Sequence, residues 1–253
     1  MRSYRQYCSL ARTLDVLGDR WTLLIVRELA IRPCRYTDLR DGLPGIATNL
    51  LADRLRELQA AGVVTAEAAP PPVATTLYTL TDWGAELRPI LLAMGRWGAA
   101  GLMTSGQGED QFRSRWAGIG MEAAYAEVDL GGLEPVTVLI DAGGDPALLT
   151  ATPQGFSTAT AAPGAPADLT LATDPDTTVG LLTGRLHPDD LDPEHRAQLR
   201  GGDDALRRFT ALTDRARLAH ETPAGRAASW PAVDEAQDDE PPGQAIEMSG
   251  AAD

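Results

Sequence analysis

Residues 36–62 read Tyr36-Thr-Asp-Leu-Arg40-Asp-Gly-Leu-Pro-Gly45-Ile-Ala-Thr-Asn-Leu50-Leu-Ala-Asp-Arg-Leu55-Arg-Glu-Leu-Gln-Ala60-Ala-Gly62. Leu51, Leu55 and Leu58 recur at helical spacing and predict a helix from about Ala47 to Ala61, stopped by Gly62. Before it, Thr37 to Leu43 predicts a short helix with Thr37 as a possible cap. Leu43-Pro44-Gly45-Ile46 reads as a turn. Two helices joined by a short turn define a helix-turn-helix, whose second helix enters the major groove of DNA.

The neighbouring segments complete that unit. Upstream, Leu10, Leu14 and Leu17 predict one helix. Asp19 is placed to cap a second, which carries Trp21, Leu24, Ile25 and Leu29 and is interrupted by Pro33. Downstream, Val63-Val64-Thr65 and Thr75 to Leu80 are β-like and flank Pro70-Pro71-Pro72, a small hairpin with a stiff tip. Thr81 or Asp82 then caps a long helix carrying Leu87, Leu91, Met94 and Trp97. A β ribbon behind the second helix makes the arrangement a winged helix-turn-helix.

The rest of the 253 residues divides by composition. Residues 103–110 read as a flexible linker and 111–220 as an α+β domain. In that domain Phe112 to Gly118 is helical. Ala123 to Asp129 and Pro135 to Asp141 are strand-like across Gly131-Gly132, a hairpin signal. Ala147 to Thr152 and Asp168 to Ala172 are further strands, and Thr177 to Thr183 and Asp203 to Leu218 are helical. Residues 221–253, rich in Pro, Ala, Asp and Glu, predict a disordered acidic tail.

Net charge is −14, with residues 1–102 at +2 and residues 103–253 at −16. That asymmetry separates a near-neutral N-terminal part from an acidic remainder. All 22 basic residues are Arg, the mark of a GC-rich coding bias such as an actinobacterial one. Cys8 and Cys34 are too few for a disulfide framework. No signal peptide or membrane-spanning stretch is visible, so the expectation is a cytoplasmic protein without membrane contact. The three histidines, His187, His195 and His220, form no metal spacing, and no nucleophile elbow, phosphate loop or dinucleotide fingerprint occurs. We therefore expect no enzyme activity, no catalytic residue, no metal and no cofactor.

The run Cys8-Ser-Leu-Ala-Arg-Thr-Leu-Asp-Val-Leu-Gly18-Asp-Arg-Trp21-Thr-Leu-Leu-Ile-Val-Arg27-Glu-Leu resembles the start of the HxlR family of bacterial winged-helix regulators. Arg35-Tyr-Thr-Asp-Leu39, Pro44-Gly45-Ile46, Arg54-Leu55 with Glu57-Leu58, Gly62-Val63-Val64, and Tyr78-Thr-Leu-Thr81 with Gly84, Leu87 and Trp97-Gly98 continue the likeness over residues 5–102. Leu181-Leu182-Thr-Gly-Arg185-Leu-His-Pro188 and Gly201-Gly202-Asp203 with Arg208-Phe209 are similar to the C-terminal part of sterol carrier protein type two. The two resemblances together imply a winged helix-turn-helix domain (1–102) followed by a sterol-carrier-like α/β sandwich (111–220) around an apolar cavity. They imply a homodimeric regulator of double-stranded DNA, by family habit a repressor, responsive to a small hydrophobic ligand.

Candidate DNA contacts are Thr48 and Asn49 in the first turn of the second helix, Arg54 further along, and Arg35 and Arg40 beside the preceding helix. Asn reads adenine bidentately, Thr meets a base or a thymine methyl, and Arg takes phosphate or a base edge. Thr48 and Asn49 also suit helix capping, and Arg54 suits pairing with Glu57 or Asp53. The family's basic residue near Asn49 is missing, and Glu67 to Thr76 holds no basic residue, which predicts a modest salt dependence. The stripe Leu87, Leu91, Met94 and Trp97 suits either a dimer interface or a core face. Candidate ligand-lining residues are Trp116, Met121, Tyr125, Phe156, Leu181 and Leu182, with core packing as the plainer reading. Cys8 sits where the family carries a cysteine that some members use to sense electrophiles, and a small idle thiol is the alternative. Two further functions stay open: a sequestration protein using the winged helix as a dimer scaffold, and a thiol-switched regulator acting through Cys8.

Overall fold

The computed structural model describes residues 3–69, 75–101 and 111–220. In chain order the first lobe holds α1 (Ser9–Leu17), α2 (Thr22–Ile31), β1 (Cys34–Arg35), α3 (Tyr36–Gly42), α4 (Thr48–Ala60), β2 (Val64–Ala68), β3 (Thr76–Leu80), α5 (Asp82–Ala85) and α6 (Arg88–Gly101). The second holds α7 (Ser114–Tyr125), β4 (Val136–Ile140), β5 (Ala147–Thr152), β6 (Gly155–Thr160), β7 (Leu169–Leu171), α8 (Pro175–Leu182), α9 (Pro193–Ala197), β8 (Leu199–Gly201) and α10 (Asp203–His220). Each lobe has its own apolar core.

Leu51, Leu55 and Leu58 lie on one face of α4 and are fully buried against Ile25, Leu29, Leu39 and Leu43. The helix stops where Gly62 turns left-handed at φ +74°, a conformation that costs a residue without Cβ nothing. There the Val63 N–H reaches the Leu58 carbonyl (2.9 Å) and the Gly62 N–H that of Gln59 (3.0 Å), closing a Schellman motif. The chain then enters β2, which pairs antiparallel with β3 from Val64↔Leu80 to Ala68↔Thr76, and β1 adds to the far edge of β3. The prolines at 70–72 fall outside the described residues, as do the linker 103–110 and the tail 221–253.

Several local expectations are corrected. Asp19 does not cap α2. Its carboxylate is held by Arg54 (2.5 Å), and Trp21 takes the N-cap position in a left-handed conformation at φ 77°. Thr37 does not cap α3. The Asp38 carboxylate accepts the Arg35 N–H instead (3.0 Å). The long helix after Thr81 is two helices. Thr81 caps α5 by accepting the Gly84 N–H (3.0 Å), but Pro89 has no N–H to continue the ladder and its ring would clash with the Ala85 carbonyl, so α6 starts afresh.

In the second lobe, residues 123–125 belong to α7 rather than a strand, and 126–129 leave it as a turn and loop. Ala117, Met121 and Tyr125 recur every four residues and are all buried, so the helical period wins over the local alternation. Gly131 and Gly132 consequently shape a loop and join no two strands. Two short strands, β6 and β8, lie where no strand was expected. The sheet order is β6-β5-β4-β7-β8, with only β4 and β7 parallel. Helices α7 and α10 cover one face through Met121, Tyr125, Phe209, Leu212 and Ala216, which meet Val138, Ile140, Leu149 and Leu171.

Phe209 and Leu55 are fully buried in the two cores, and removing buried atoms leaves voids that the surroundings only partly close. Phe209→Ala is expected to cost about 3–5 kcal/mol and Leu55→Ala about 2–5 kcal/mol of unfolding free energy. Denaturant unfolding followed by circular dichroism measures both, and a loss below about 1 kcal/mol would contradict the packing at that site.

Candidate nucleic-acid interface

Helices α3 and α4 meet through the turn Leu43–Ile46, in which the Ile46 N–H bonds the Leu43 carbonyl (3.1 Å). Tyr36 at the head of α3 donates its hydroxyl to the Thr48 carbonyl (2.6 Å), tying the first turn of α4 to α3. These contacts set the angle at which α4 leaves the lobe.

At about 100° per residue, Asn49, Asp53 and Arg56 project from the side of α4 opposite Leu51, Leu55 and Leu58. All three are exposed, as is Thr48. Arg54 falls about 60° from the core line and behaves differently. Its side chain is only 18% exposed and is clamped between Asp19 and Glu57. It ties α4 to the segment before α2 and presents no free guanidinium to a groove. Arg56, 74% exposed, bonds Asp53 one turn earlier and shares its face with Asn49. Sequence reading passed over Arg56, although its seven-residue offset from Asn49 was the available signal. Arg35 and Arg40 are exposed, with Arg40 near Asp41 at 3.6 Å. This surface mixes cations with Asp38, Asp41 and Asp53 and is not strongly positive.

The two thiols have opposite settings. Cys8 is exposed at the N-cap of α1. Cys34 is buried beside the Arg32 carbonyl (3.3 Å), and burial pushes its pKa up to about 11. A thiol so raised is not a thiolate near neutrality.

Of the six apolar candidates in the second lobe, five come together. Met121, Tyr125, Leu181 and Leu182 are buried in one cluster, and half-buried Phe156 stacks on Tyr125 with ring centroids 5.1 Å apart. The Tyr125 hydroxyl donates to the Leu182 carbonyl (3.1 Å), and burial raises its pKa. Trp116 is elsewhere. Its Nε1 donates to Glu28 of α2 (2.6 Å), and the Arg27 guanidinium lies 4.4 Å from its ring centroid. A crevice at this junction, lined by Arg88, Arg115, Ile119 and Thr158, encloses about 20 Å³ and has room for a single water. Among the described residues no group of His, Cys, Asp and Glu is arranged to hold a metal, and no helix is long and apolar enough to cross a membrane.

A family model described as HxlR-like helix-turn-helix matches residues 16–105. The uncharacterized HTH-type transcriptional regulator sll1512 of Synechocystis is 35% identical over 92 residues, which span 36% of this chain and 68% of that protein. YvaP of Bacillus subtilis, also an uncharacterized HTH-type transcriptional regulator, is 35% identical over 86 residues, 34% of this chain and 80% of its own. Among solved structures, the redox regulator HypR in its reduced form is 32% identical, covering 37% of this chain and 92% of that one at a TM-score of 0.35.

Thiol titration of the native protein near pH 8 is expected to show one fast-reacting group, Cys8, and a second, Cys34, only after unfolding. Two fast groups, or loss of the fast group in Cys34→Ser, would contradict this placement.

Proposed function

We propose, from the premise that this chain belongs to the HxlR-like helix-turn-helix family of transcriptional regulators, that it is a repressor which docks α4 in the major groove of double-stranded DNA. The observation that carries the proposal is the exposed face of α4, where Asn49 and Arg56 point away from the core with Thr48 at the helix start. Asn reads adenine and Arg reads guanine or grips phosphate. Arg35, at the N-cap of α3, and Arg40, within α3, hold the DNA backbone. Arg54 serves by fixing α4 through Asp19 and Glu57.

A two-fold dimer fits the apolar side chains left open on the helices that flank the lobe. Tyr7, Leu10 and Leu14 are exposed on and before α1, and Ile90, Met94 and Trp97 on α6. Large exposed apolar groups in such a row mark an association surface. Two recognition helices related this way read half-sites about 34–36 Å apart.

The unit 111–220 is proposed as the ligand-responsive domain, resembling sterol carrier protein type two. The layer of Met121, Tyr125, Phe156, Leu181 and Leu182 between helices and sheet supports it, as does Phe156 at an edge strand, half open to solvent. An acyl chain, polyketide or aromatic would enter by displacing Phe156 from its stack on Tyr125. Trp116 has no part in that layer. The exposure of Cys8 favours one second reading, a thiol-switched regulator, which Cys8→Ser separates from the first. In the ligand reading, response to the small molecule survives the change.

Fluorescence anisotropy with DNA from the protein's own upstream region, against a scrambled duplex, tests the function. Asn49→Ala and Arg56→Ala are each expected to weaken specific binding roughly tenfold. Arg56→Ala should also flatten the log–log salt dependence by about one contact's worth if Arg56 takes phosphate. Specific binding unchanged in both variants would rule out α4 as the reading element. Binding to the upstream duplex no tighter than to the scrambled one would favour sequestration.

A further inference from the structure

Glu28 belongs to α2 but is only 2% exposed, and its carboxylate is shared by both lobes. Oε1 accepts from Arg27 (2.7 Å) and from Trp116 Nε1 (2.6 Å), and Oε2 accepts from Arg115 Nε (3.0 Å). Arg115, in the first turn of α7, is 6% exposed and also pairs with Asp145. Arg113, one residue before α7, donates to the Asp41 carbonyl (2.5 Å) and pairs with Asp145 (2.8 Å). A carboxylate and a guanidinium this deeply buried are held only if nearly every donor and acceptor is met.

The grip falls at one place in the helix-turn-helix. Asp41 and Gly42 end α3, and the turn to α4 begins at Leu43. Gly42 lies against this pair: a Cβ there would stand 2.7 Å from Arg115 Nη2 and 2.9 Å from Glu28 Oε2. On the other flank, Arg88 of α6 donates to the Ala30 carbonyl (2.7 Å) and to both oxygens of Glu122 on α7, which also accepts from Thr158 of β6 (2.9 Å). The second lobe is thus bonded to α2, to the last turn of α3 and to the head of α6.

We propose that Glu28 and Arg115 are positioning residues for DNA recognition. They clamp α7 of the second lobe onto the end of α3, so that the presentation of α4 depends on the second lobe being in its packed form. The proposal rests on the DNA-binding reading above and adds to it the route between the lobes. A buried ion pair suits this role because it has two distinct arrangements, made or hydrated, with no gradual slide between them.

The test uses the full chain and three variants. Glu28→Gln removes the charge and keeps the shape, Gly42→Ala wedges the pair apart while leaving both charges, and Glu28→Met/Arg115→Met replaces the pair by apolar side chains. Amide exchange of Leu43 and Ile46, both hydrogen-bonded around the turn, reports the hinge. The ratio of binding to upstream and scrambled duplexes reports recognition. In Gly42→Ala we expect exchange at Leu43 and Ile46 to rise tenfold or more and the binding ratio to fall at least fivefold, with the melting of α10 unchanged. The double Met variant is expected to regain thermal stability relative to Glu28→Gln yet keep a lowered ratio. A pair that merely stabilises the fold would leave the ratio at its wild-type value in every variant that remains folded, and that result overturns the proposal. If Glu28→Gln does not fold, Gly42→Ala and the double variant decide. If the wild-type chain itself shows no preference for the upstream duplex, the DNA reading fails, and exchange at Leu43 and Ile46 alone decides whether the clamp exists: no rise in Gly42→Ala overturns it.

Discussion

The arrangement of the two lobes depends on how one buried carboxylate is satisfied. Glu28 sits in the apolar middle of α2, where an unpaired charge would be strongly destabilising. Its donors come from both lobes: Arg27 within α2, and Arg115 and Trp116 from α7. Much else at the junction follows from that demand. Trp116 turns away from the second core toward the first lobe, Arg113 and Arg115 converge on Asp145, and Gly42 stays without a side chain. Burial works to raise the Asp145 carboxyl, but the hydrogen bonds and charges of the two arginines outweigh it and hold its pKa below the usual value.

A parallel division of labour runs along α4. Its arginines, two residues apart, have separate fates because a helix turns about 100° per residue. Arg54 flanks the buried stripe and is drawn into Asp19 and Glu57, which fixes the helix on the lobe. Arg56 lies on the far side with Asn49 and, among the described residues, pairs with Asp53. The same helix therefore anchors itself with one cation and offers the other to solvent. The interspersed acids keep the surface weakly charged, which places more of any affinity in shape and base contacts and less in counterion release.

The second lobe is held from both directions. On one side α7 and α10 close over the sheet, with Phe209, Leu212 and Ala216 against Val138 and Leu171. On the other, α7 reaches the first lobe with polar side chains. One helix thus carries an apolar stripe for its own core, Ala117, Met121 and Tyr125, and a polar one for the neighbour, Arg115, Trp116 and Glu122.

The sequence by itself determined the helix-turn-helix. The recurrence of Leu51, Leu55 and Leu58, the Pro44-Gly45 turn and the stop at Gly62 are local signals, written within a few residues of the structure they specify. The wing pairing and most of the second lobe's elements were legible for the same reason. Three things were decided only by tertiary structure. Whether residues 123–125 form strand or helix depended on which face met the sheet, because short apolar runs satisfy both periods. Which arginine of α4 stays exposed on its outer face depended on Asp19, 35 residues away in the chain and beside Arg54 only in the fold. The coupling of the lobes depended on Glu28 and Arg115, separated by 87 positions. A buried charge announces nothing in a sequence, since the partners that make it tolerable are chosen by packing and not by spacing.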